Sequence, residues 1–197
     1  MRTKAELRTA ILKKRRAVAP GVHATEAQAL ADHLSVLAAD AATACAYVPV
    51  GSEPGSIELI HSLHRRGVRV LLPVARRDVA GLRWGEYRPG EIVEAPFGLH
   101  EPAPPWWGGD AIADATVILV PALAVDRSGV RLGRGAGFYD RALPLADPAA
   151  RRIAVVRDDE LVDTLPAEPH DVPMTHALTP GNGLVTLGRQ PGMTHAT

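Results

Sequence analysis

The sequence predicts an α/β fold: a single domain with a mostly parallel central sheet flanked by helices, in a Rossmann-like three-layer arrangement. A strand, a helix and a second strand follow one another over residues 43–72, and a unit of this length favours parallel strands. Apolar, β-branched runs at 117–120 and 153–156 add strands to the same sheet. A chain of 197 residues fits one such domain and can bury a sizeable core.

The composition is that of an ordinary globular protein. The 22 basic and 22 acidic residues cancel, so the chain has no overall basic surface for nucleic acid. The single cysteine, Cys45, cannot form an internal disulfide, no apolar run approaches membrane-spanning length, and no secretory signal follows the basic N-terminus. We therefore expect a cytoplasmic monomer that binds small molecules, and neither nucleic acid nor a membrane.

The N-terminal region predicts two helices. Residues 3–6 (TKAE) have the spacing of a capping box and place a helix start at Thr3. The pattern recurs at residues 25–28 (TEAQ), which predicts a second helix from Thr25 to near residue 40. Lys4 and Arg8 share one face of the first helix, where they are either solvated or lean over a bound phosphate. Residues 13–16 are interpreted as solvated helix surface.

The strand–helix–strand unit carries the first candidate binding residue. Residues 43–48 predict a strand, and a turn-rich loop follows it directly. Ligands in α/β sheets collect at the carboxyl ends of strands, so Glu53 in this loop is well placed to contact one, or it is a surface acid. Ser56 can cap a helix that ends at Gly67, and the next strand, 68–72, is expected to close at Pro73.

The middle of the chain is less regular. A strand is predicted at 82–87, followed by an ordered, proline-rich loop across the surface up to residue 109. Five aromatic side chains are candidate walls for a flat ring system, although each could simply cover the edge of the core. They are Trp84, Tyr87, Phe97, Trp106 and Trp107.

The C-terminal part completes the expected domain, residues 1–182. A proline-framed loop at 166–173 contains Asp171, a possible oxygen ligand for a metal ion, and residues 176–179 predict the last core strand. Residues 183–197 form an edge strand at 184–187 and a flexible tail, with disorder expected beyond residue 189.

Residues 131–141 (RLGRGAGFYDR) are the stretch around which the chain is organised. Three glycines at two-residue spacing let backbone N–H groups approach a ligand, and arginines among them supply planar donor forks for phosphate. Residues 138–143 predict a helix stopped by Pro144. Asp140 offers the hard oxygen that a magnesium-bound triphosphate needs. The spacing matches neither standard phosphate loop, so a glycine-rich turn with solvated arginines is the alternative.

With residues 121–130 (PALAVDRSGV) before it, this stretch resembles the signature of the 5-formyltetrahydrofolate cyclo-ligase family. The likeness runs from residue 4 to about residue 180 and includes the motifs at 47–53, 96–102 and 169–172. It implies ring closure of 5-formyltetrahydrofolate to 5,10-methenyltetrahydrofolate. ATP is the co-substrate, Mg²⁺ the cofactor, and ADP and phosphate are released after phosphorylation of the formyl oxygen.

The resemblance also implies roles for individual residues. Arg134 and Asp140 would be catalytic, and Asp140 and Asp171 would bind Mg²⁺. The residues implied for ATP are Lys4, Arg8, Arg131, Leu132, Gly133, Arg134, Gly135, Ala136, Gly137, Phe138 and Tyr139. The residues implied for the folate are Val48, Glu53, Arg134, Gly135, Ala136, Gly137 and Phe138.

Three positions depart from the family pattern. Phe138 stands where a tyrosine is common, Ala136 where glycine or lysine is usual, and Glu160 where glutamine is frequent. None removes a charge that the reaction clearly requires. Two other functions stay open at this point. One is a sugar-phosphate isomerase or CoA-transferase-like enzyme, which would need an acid or base above the loop. The other is a non-catalytic nucleotide-binding module.

Overall fold

The computed structural model describes residues 2–37, 40–76 and 79–188, without the side chain of Phe97. Four α-helices are described: α1 (Lys4–Arg16), α2 (Pro20–Leu37), α3 (Glu58–Arg65) and α4 (Phe138–Ala142). The strands are β1 (Thr43–Cys45), β2 (Arg69–Ala75), β3 (Leu82–Glu86), β4 (Ile92–Ala95), β5 (Leu99–Pro102), β6 (Trp106–Trp107), β7 (Val117–Pro121), β8 (Ala124–Asp126), β9 (Arg131–Leu132), β10 (Arg151–Val155), β11 (Leu161–Val162), β12 (His176–Thr179) and β13 (Gly183–Thr186).

The central sheet has the predicted mostly parallel form. Its eight strands lie in the order β13-β12-β10-β7-β1-β2-β3-β6. The five strands from β12 to β2 run parallel to their neighbours, and the strands outside them pair antiparallel. The expected edge strand at 184–187 is β13, shifted by one residue, while the tail beyond residue 189 lies outside the described residues.

Side chains that alternate along the strands divide the core between two faces. Leu119 on β7 packs with α2 and α3 on one face, whereas its neighbour Ile118 packs on the other with α4 and the residues after it. The sheet is thus covered on both sides, as the near-continuous apolar strands predict.

Helix α1 is held separately from these two core clusters. Its apolar residues Leu7, Ile11 and Leu12 pack against a small cluster around Leu123 and Leu132. That cluster belongs to a three-stranded sheet in the order β11-β8-β9, which follows β7 at the carboxyl edge of the main sheet. This packing brings the basic face of α1 to that edge.

The order of the strands creates a switch point between β1 and β7. The chain runs from β1 to β2 on one side, then returns to β7 on the other side of β1 and continues outward to β10 and β12. The loops that leave β1 and β7 therefore diverge, and ligands of open α/β sheets bind in the crevice formed at such a point.

Several element boundaries differ from those predicted. Helix α2 begins at Pro20, a residue favoured at the first helical position, and the Thr25 hydroxyl donates within the helix to the Gly21 carbonyl at 3.0 Å instead of capping. Strand β1 ends at Cys45, so it is shorter than the predicted 43–48. The proline-rich region contains a hairpin of β4 and β5 as well as β6, where a surface loop was expected.

Strand β2 runs through Pro73 to Ala75, so the prediction that Pro73 closes it is wrong. The Val70 carbonyl accepts from Tyr87 of the β3 side, and the Leu71 carbonyl accepts from Ala46 of the β1 side. By this alternation Pro73 faces the β1 side, where the pairing ends at Leu71. The missing N–H of proline therefore leaves no ladder bond unmade.

Within the described residues, none of the helices has both the length and the apolar character that crossing a bilayer requires.

Candidate active site

A cleft of about 1100 Å³ opens at the carboxyl edge of the sheet, between the segments that follow β1 and β7. Helix α1 and the loop before β12 complete its walls. All the residues proposed from the sequence for ATP, folate and metal lie along it: Lys4, Arg8, Val48, Glu53, Arg131, Leu132, Gly133, Arg134, Gly135, Ala136, Gly137, Phe138, Tyr139, Asp140 and Asp171. The fold therefore brings together segments that are up to 167 residues apart in the chain.

The glycine loop, residues 133–137, connects β9 to α4 along one wall of the cleft. Gly135 has φ +105°, and Gly137, the residue before α4, has φ +72°. L-residues rarely adopt these values, so glycine is required to turn the backbone here. The predicted helix at 138–143 is α4 followed by a 3₁₀ turn, Leu143–Leu145, that contains Pro144.

Arg131 at the start of this wall is held in a fixed position. Its Nη1 donates to the Pro121 carbonyl at 3.0 Å and its Nη2 to Asp140 Oδ1 at 2.7 Å. Its guanidinium also lies 5.9 Å from the centre of the Tyr139 ring. The strand end at Pro121 and the first turn of α4 are therefore joined through this one side chain.

Arg134 reaches from the glycine loop across to the wall that follows β1. Its Nη2 lies 3.4 Å from Glu53 Oε1, and the Arg134 side chain is 51% exposed while that of Glu53 is 11% exposed. Glu53 Oε2 also accepts from the Val50 N–H at 2.9 Å. Burial raises the pKa of Glu53, and the Val50 N–H and Arg134 only partly oppose this effect.

Helix α1 brings its two predicted cations to the cleft. Arg8 Nε donates to the Gly133 carbonyl at 2.9 Å, so it braces the glycine loop directly. Lys4 Nζ lies 3.2 Å from Glu168 and 3.3 Å from Asp171. The interpretation of both side chains as merely solvated is therefore wrong.

The two predicted metal ligands occupy different surroundings in the cleft. Asp171 shares a group with Glu168 and His170, in which one ligand atom from each lies within 4.8 Å of the others. Asp140 is held by Arg131 and offers its carboxylate from the first turn of α4. Carboxylate oxygens are the ligands that Mg²⁺ prefers, so the donor set suits this ion, with Glu168 as a candidate that the sequence did not single out.

The deep end of the cleft contains residues that sequence reasoning missed. Tyr47 and Arg15 line it beside Ala122, and Arg15 is almost fully buried. Arg15 follows Lys4 and Arg8 by 11 and 7 residues, a helical phase that places all three on one face and could have revealed it. The Tyr139 hydroxyl is buried without a hydrogen-bond partner among the described residues, and burial raises the pKa of Tyr139.

The expected aromatic walls are wrong for the three tryptophans, none of which lines the cleft, whereas Tyr87 lines a smaller neighbouring pocket. Trp84 is fully buried in the core, and Trp106 and Trp107 lie on the edge strand β6 beneath the guanidinium groups of Arg76 and Arg69. Tyr87 packs edge-on against a histidine of α3, and the Phe97 side chain lies outside the described residues. Among the described side chains, the aromatic rings that line the cleft are those of Tyr47, Phe138, Tyr139 and the imidazoles of His100 and His170.

The cleft occurs in a chain with clear relatives. The model of the 5-formyltetrahydrofolate cyclo-ligase family matches residues 1–180. A 5-formyltetrahydrofolate cyclo-ligase of Mycolicibacterium smegmatis is 62% identical over 190 residues, which are 94% of this chain and 98% of the relative. The Escherichia coli protein of the same name is 33% identical over 141 residues, covering 70% and 78%.

This chain belongs to the 5-formyltetrahydrofolate cyclo-ligase family. Its fold is also that of 5,10-methenyltetrahydrofolate synthetases of known structure. The one from Aquifex aeolicus has a TM-score of 0.75 and 22% identity, covering 98% of this chain and 97% of the other. The one from Mycoplasma pneumoniae has a TM-score of 0.70 and 20% identity, covering 88% and 96%.

Membership in the cyclo-ligase family confirms that the chain is an enzyme of the ligase class. It favours this class over the isomerase or transferase and over the non-catalytic binding module. The fold prediction is confirmed by both solved structures.

Proposed function

We propose that the chain catalyses the ATP- and Mg²⁺-dependent closure of 5-formyltetrahydrofolate to 5,10-methenyltetrahydrofolate, with release of ADP and phosphate. The observation that carries the proposal is the cleft itself, where a loop rich in arginine and glycine faces a buried carboxylate across the switch point. The 62% identity to a named cyclo-ligase along nearly the whole chain supports the same reaction.

The basic wall suits the triphosphate. Lys4, Arg8, Arg131 and Arg134 surround the glycine loop, whose N–H groups can also approach phosphate oxygens. Lys4 and Arg134 now contact carboxylates at 3.2–3.4 Å with partial exposure. A polyanion that enters the cleft can compete with those carboxylates for the two cations, because each pair is a single contact of 3.2 Å or more and none is bidentate.

The opposite wall suits the folate. Tyr47 and Val48 offer apolar contact for a flat ring, and Glu53 offers two oxygens to the donor edge of a pterin. The Glu53 carboxylate already accepts one N–H from Val50, so its orientation is set before substrate arrives. Such preorganisation reduces the free-energy cost of ordering groups on binding.

The chemistry consists of two displacements. The formyl oxygen attacks the γ-phosphorus of ATP, the bond from that phosphorus to the β-phosphate bridging oxygen breaks, and ADP leaves. N10 of the folate then bonds to the activated formyl carbon and loses its proton, and the carbon–oxygen bond breaks as inorganic phosphate departs. The protein contributes positioning and charge neutralisation, as in other phosphoryl transfers.

Magnesium would be held by Asp140 and Asp171, with Glu168 as a further oxygen ligand. When bound, the ion would neutralise charge on the triphosphate and polarise its terminal phosphoryl group. Arg134 approaches the reacting oxygens from the loop, while Arg131 fixes the orientation of Asp140 through the 2.7 Å ion pair. We further propose that the enzyme acts as a cytoplasmic monomer on these small molecules.

Two measurements test the proposal. Formation of methenyltetrahydrofolate is followed by absorbance, with and without ATP, and we expect product only with ATP and Mg²⁺. The formyl oxygen is then labelled with ¹⁸O, and we expect the label in inorganic phosphate. Label that appears in water instead would contradict phosphorylation of the formyl oxygen, and ATP binding without any product would contradict the reaction.

A further inference from the structure

Helix α1 carries a buried cation, Arg15, that has no role in the proposed reaction steps. The Arg15 side chain is 1% exposed, although it lies in a run of four basic residues that would be expected in solvent. Its guanidinium lies at the deep end of the cleft beside Ala122. A charge in this position requires partners, because an unpaired buried ion is strongly destabilising.

Three hydrogen bonds hold the Arg15 guanidinium, through its Nε and Nη2 atoms. Its Nε donates to Glu160 Oε1, its Nη2 donates to Glu160 Oε2 and to the Ala122 carbonyl, and all three bonds are 2.7 Å long. Glu160 is itself buried and also accepts the Arg157 N–H at 2.8 Å. The planar fork of arginine matches the carboxylate, so the pair fixes both distance and angle.

The contacts of Arg15 tie α1 to the edge of the sheet. Ala122 follows β7, and Glu160 lies in the segment after β10. Besides the polar contacts of Lys4, Arg8 and Lys14, α1 meets the body of the protein through apolar side chains such as Leu7 and Ile11. Apolar packing is not directional, so it allows small rotations and shifts that the bidentate pair with Glu160 does not allow.

One face of α1 carries Lys4, Arg8 and Arg15. At about 100° of rotation per residue, their directions around the helix axis differ by no more than about 40°. The helix is a rigid rod over this distance, so the position of Arg15 determines where Arg8 and Lys4 stand. Arg8 meets the glycine loop at the Gly133 carbonyl, two turns before Arg15. A displacement of α1 would therefore move both cations relative to the loop.

We propose that Arg15 and Glu160 are positioning residues that set the register of α1 and so place Lys4 and Arg8 for the phosphates of ATP. This inference rests on the proposed function, because it assumes that ATP occupies the basic wall. Glu160 does not line the cleft, so its effect on ATP is transmitted through Arg15. Among the described residues, Arg15 makes no hydrogen bond to the folate wall after β1, so the pair should affect folate affinity much less than ATP affinity.

The test measures the dissociation constants of a non-hydrolysable ATP analogue and of 5-formyltetrahydrofolate by calorimetry. Glu160→Leu removes the partner and should raise the constant for the analogue about tenfold, in line with the sensitivity of binding geometry to small displacements. Glu160→Gln keeps one acceptor for the guanidinium and should restore most of the affinity. The constant for the folate should stay within about twofold in both variants.

A second pair serves as a matched control. Arg157 binds Glu26 of α2 in a bidentate pair at 2.9 and 2.7 Å, and it comes from the same segment as Glu160. Neither Arg157 nor Glu26 lines the cleft. Glu26→Gln should lower the thermal midpoint while leaving both dissociation constants unchanged, which separates loss of stability from loss of position.

If Glu160→Leu does not fold, the double variant Arg15→Met with Glu160→Met replaces the pair by apolar side chains and leaves no charge unpaired. It should fold and still bind the ATP analogue more weakly. An analogue affinity equal to that of the parent, in any folded variant lacking the pair, would overturn the positioning role. A parent protein that does not bind the analogue at all would refute the proposed function itself, so the two failures are distinguishable.

Discussion

The two walls of the cleft are built on opposite principles. The wall after β9 consists of a glycine loop whose arginines are held by ion pairs, the half-exposed Arg134 with Glu53 at 3.4 Å and Arg131, whose side chain is 8% exposed, with Asp140 at 2.7 Å. The wall after β1 consists of buried side chains, Tyr47 among them, and one carboxylate whose pKa is raised by burial. The first wall can exchange partners with a charged ligand, whereas the second cannot take a new charge without desolvating it.

We propose that this difference assigns one substrate to each wall. A triphosphate needs several cations, and among the described residues of the cleft these lie on the glycine-loop wall and on the adjoining face of α1. A neutral heterocycle with a donor edge needs apolar surface and a fixed acceptor, which the other wall offers. The ion pair between Arg134 and Glu53 joins the walls, so each substrate meets one member of the same pair. Substitutions that affect one wall alone are therefore the way to test the comparison.

The largest effect is expected at Asp140 on the basic wall. Asp140→Ala removes a proposed magnesium ligand and also leaves Arg131, which pairs with it at 2.7 Å, without its carboxylate. We expect kcat/KM to fall by at least about 100-fold. The rate of methenyltetrahydrofolate formation is measured over a range of Mg²⁺ concentrations.

Asp140→Asn separates the two roles of this carboxylate. The amide oxygen can still accept from Arg131, but it is a weaker ligand for Mg²⁺. We expect the Asp140→Asn variant to be nearly as inactive as Asp140→Ala and to require a higher Mg²⁺ concentration than the parent. A parental rate in the Asn variant would mean that Asp140 only orients Arg131.

The second largest effect is expected at Glu53 on the folate wall. Glu53→Gln keeps an acceptor for the Val50 N–H but cannot accept two parallel N–H bonds from a donor edge. The KM for 5-formyltetrahydrofolate should rise by about tenfold or more, while the KM for ATP changes little. Equal increases in both constants would contradict the assignment of Glu53 to the folate wall.

The same residue gives a pH prediction with a definite sign. Burial raises the pKa of Glu53 above its ordinary value of 4.5, so protonation of this group favours the folded state. Its contribution to stability is present below pH 4.5 and is lost as the pH rises through the raised pKa. At neutral pH the ionised carboxylate therefore lowers stability, and Glu53→Gln should raise the thermal midpoint.

Folate affinity should depend on pH in the opposite direction. The ionised carboxylate is the form that accepts two N–H bonds, so acid weakens folate binding. Because the pKa is raised, this loss begins at a higher pH than for an ordinary glutamate. Thermal melts and folate titrations between pH 4 and 7 check both signs. As the control, both pH dependences should be absent in Glu53→Gln.

The contrast between the walls also explains what the sequence revealed. Periodicity and the order of elements predicted the parallel sheet, and the rule for carboxyl ends placed Glu53 correctly in the cleft. The predicted ends of helices and strands were wrong where tertiary contacts determine them. Strand β2 passes through Pro73 because β1 has already ended beside it, a fact that no local pattern carries.

Arg15 and the tryptophans show why the rest of the site was harder to predict. A basic residue in a basic run indicates solvent, and only its distant partner Glu160, 145 positions later, makes Arg15 a buried residue. Paired tryptophans suggested a ligand wall, but they cover the sheet edge under Arg69 and Arg76. In both cases the deciding contact is long-range. Helical spacing places Arg15 on the face of Lys4 and Arg8, but it does not identify Glu160 as the partner.

A smaller effect is expected from the glycine loop itself. At Gly135 an added Cβ meets nothing closer than 3.6 Å, so the strain of Gly135→Ala comes from φ +105° alone, about 1–3 kcal/mol. The loop should relax away from its present shape and raise the KM for ATP by about fivefold. Gly51→Ala, in the loop after β1, has φ +58° and open space around it. It should leave the KM for ATP unchanged, and an equal rise in both variants would contradict the special role of the loop.

The smallest effect is expected at Phe138 on the basic wall, a residue that we propose contacts both substrates. Its ring lies 5.5 Å from the Arg141 guanidinium and is only partly buried, so Phe138→Tyr adds a hydroxyl with access to solvent. Both KM values should stay within about twofold, because a solvated hydroxyl adds little net interaction. Steady-state kinetics with each substrate varied in turn measures this. A larger fall in the KM for folate alone would show that the hydroxyl reaches the folate, and the division between the walls would then have to include residue 138 on both sides.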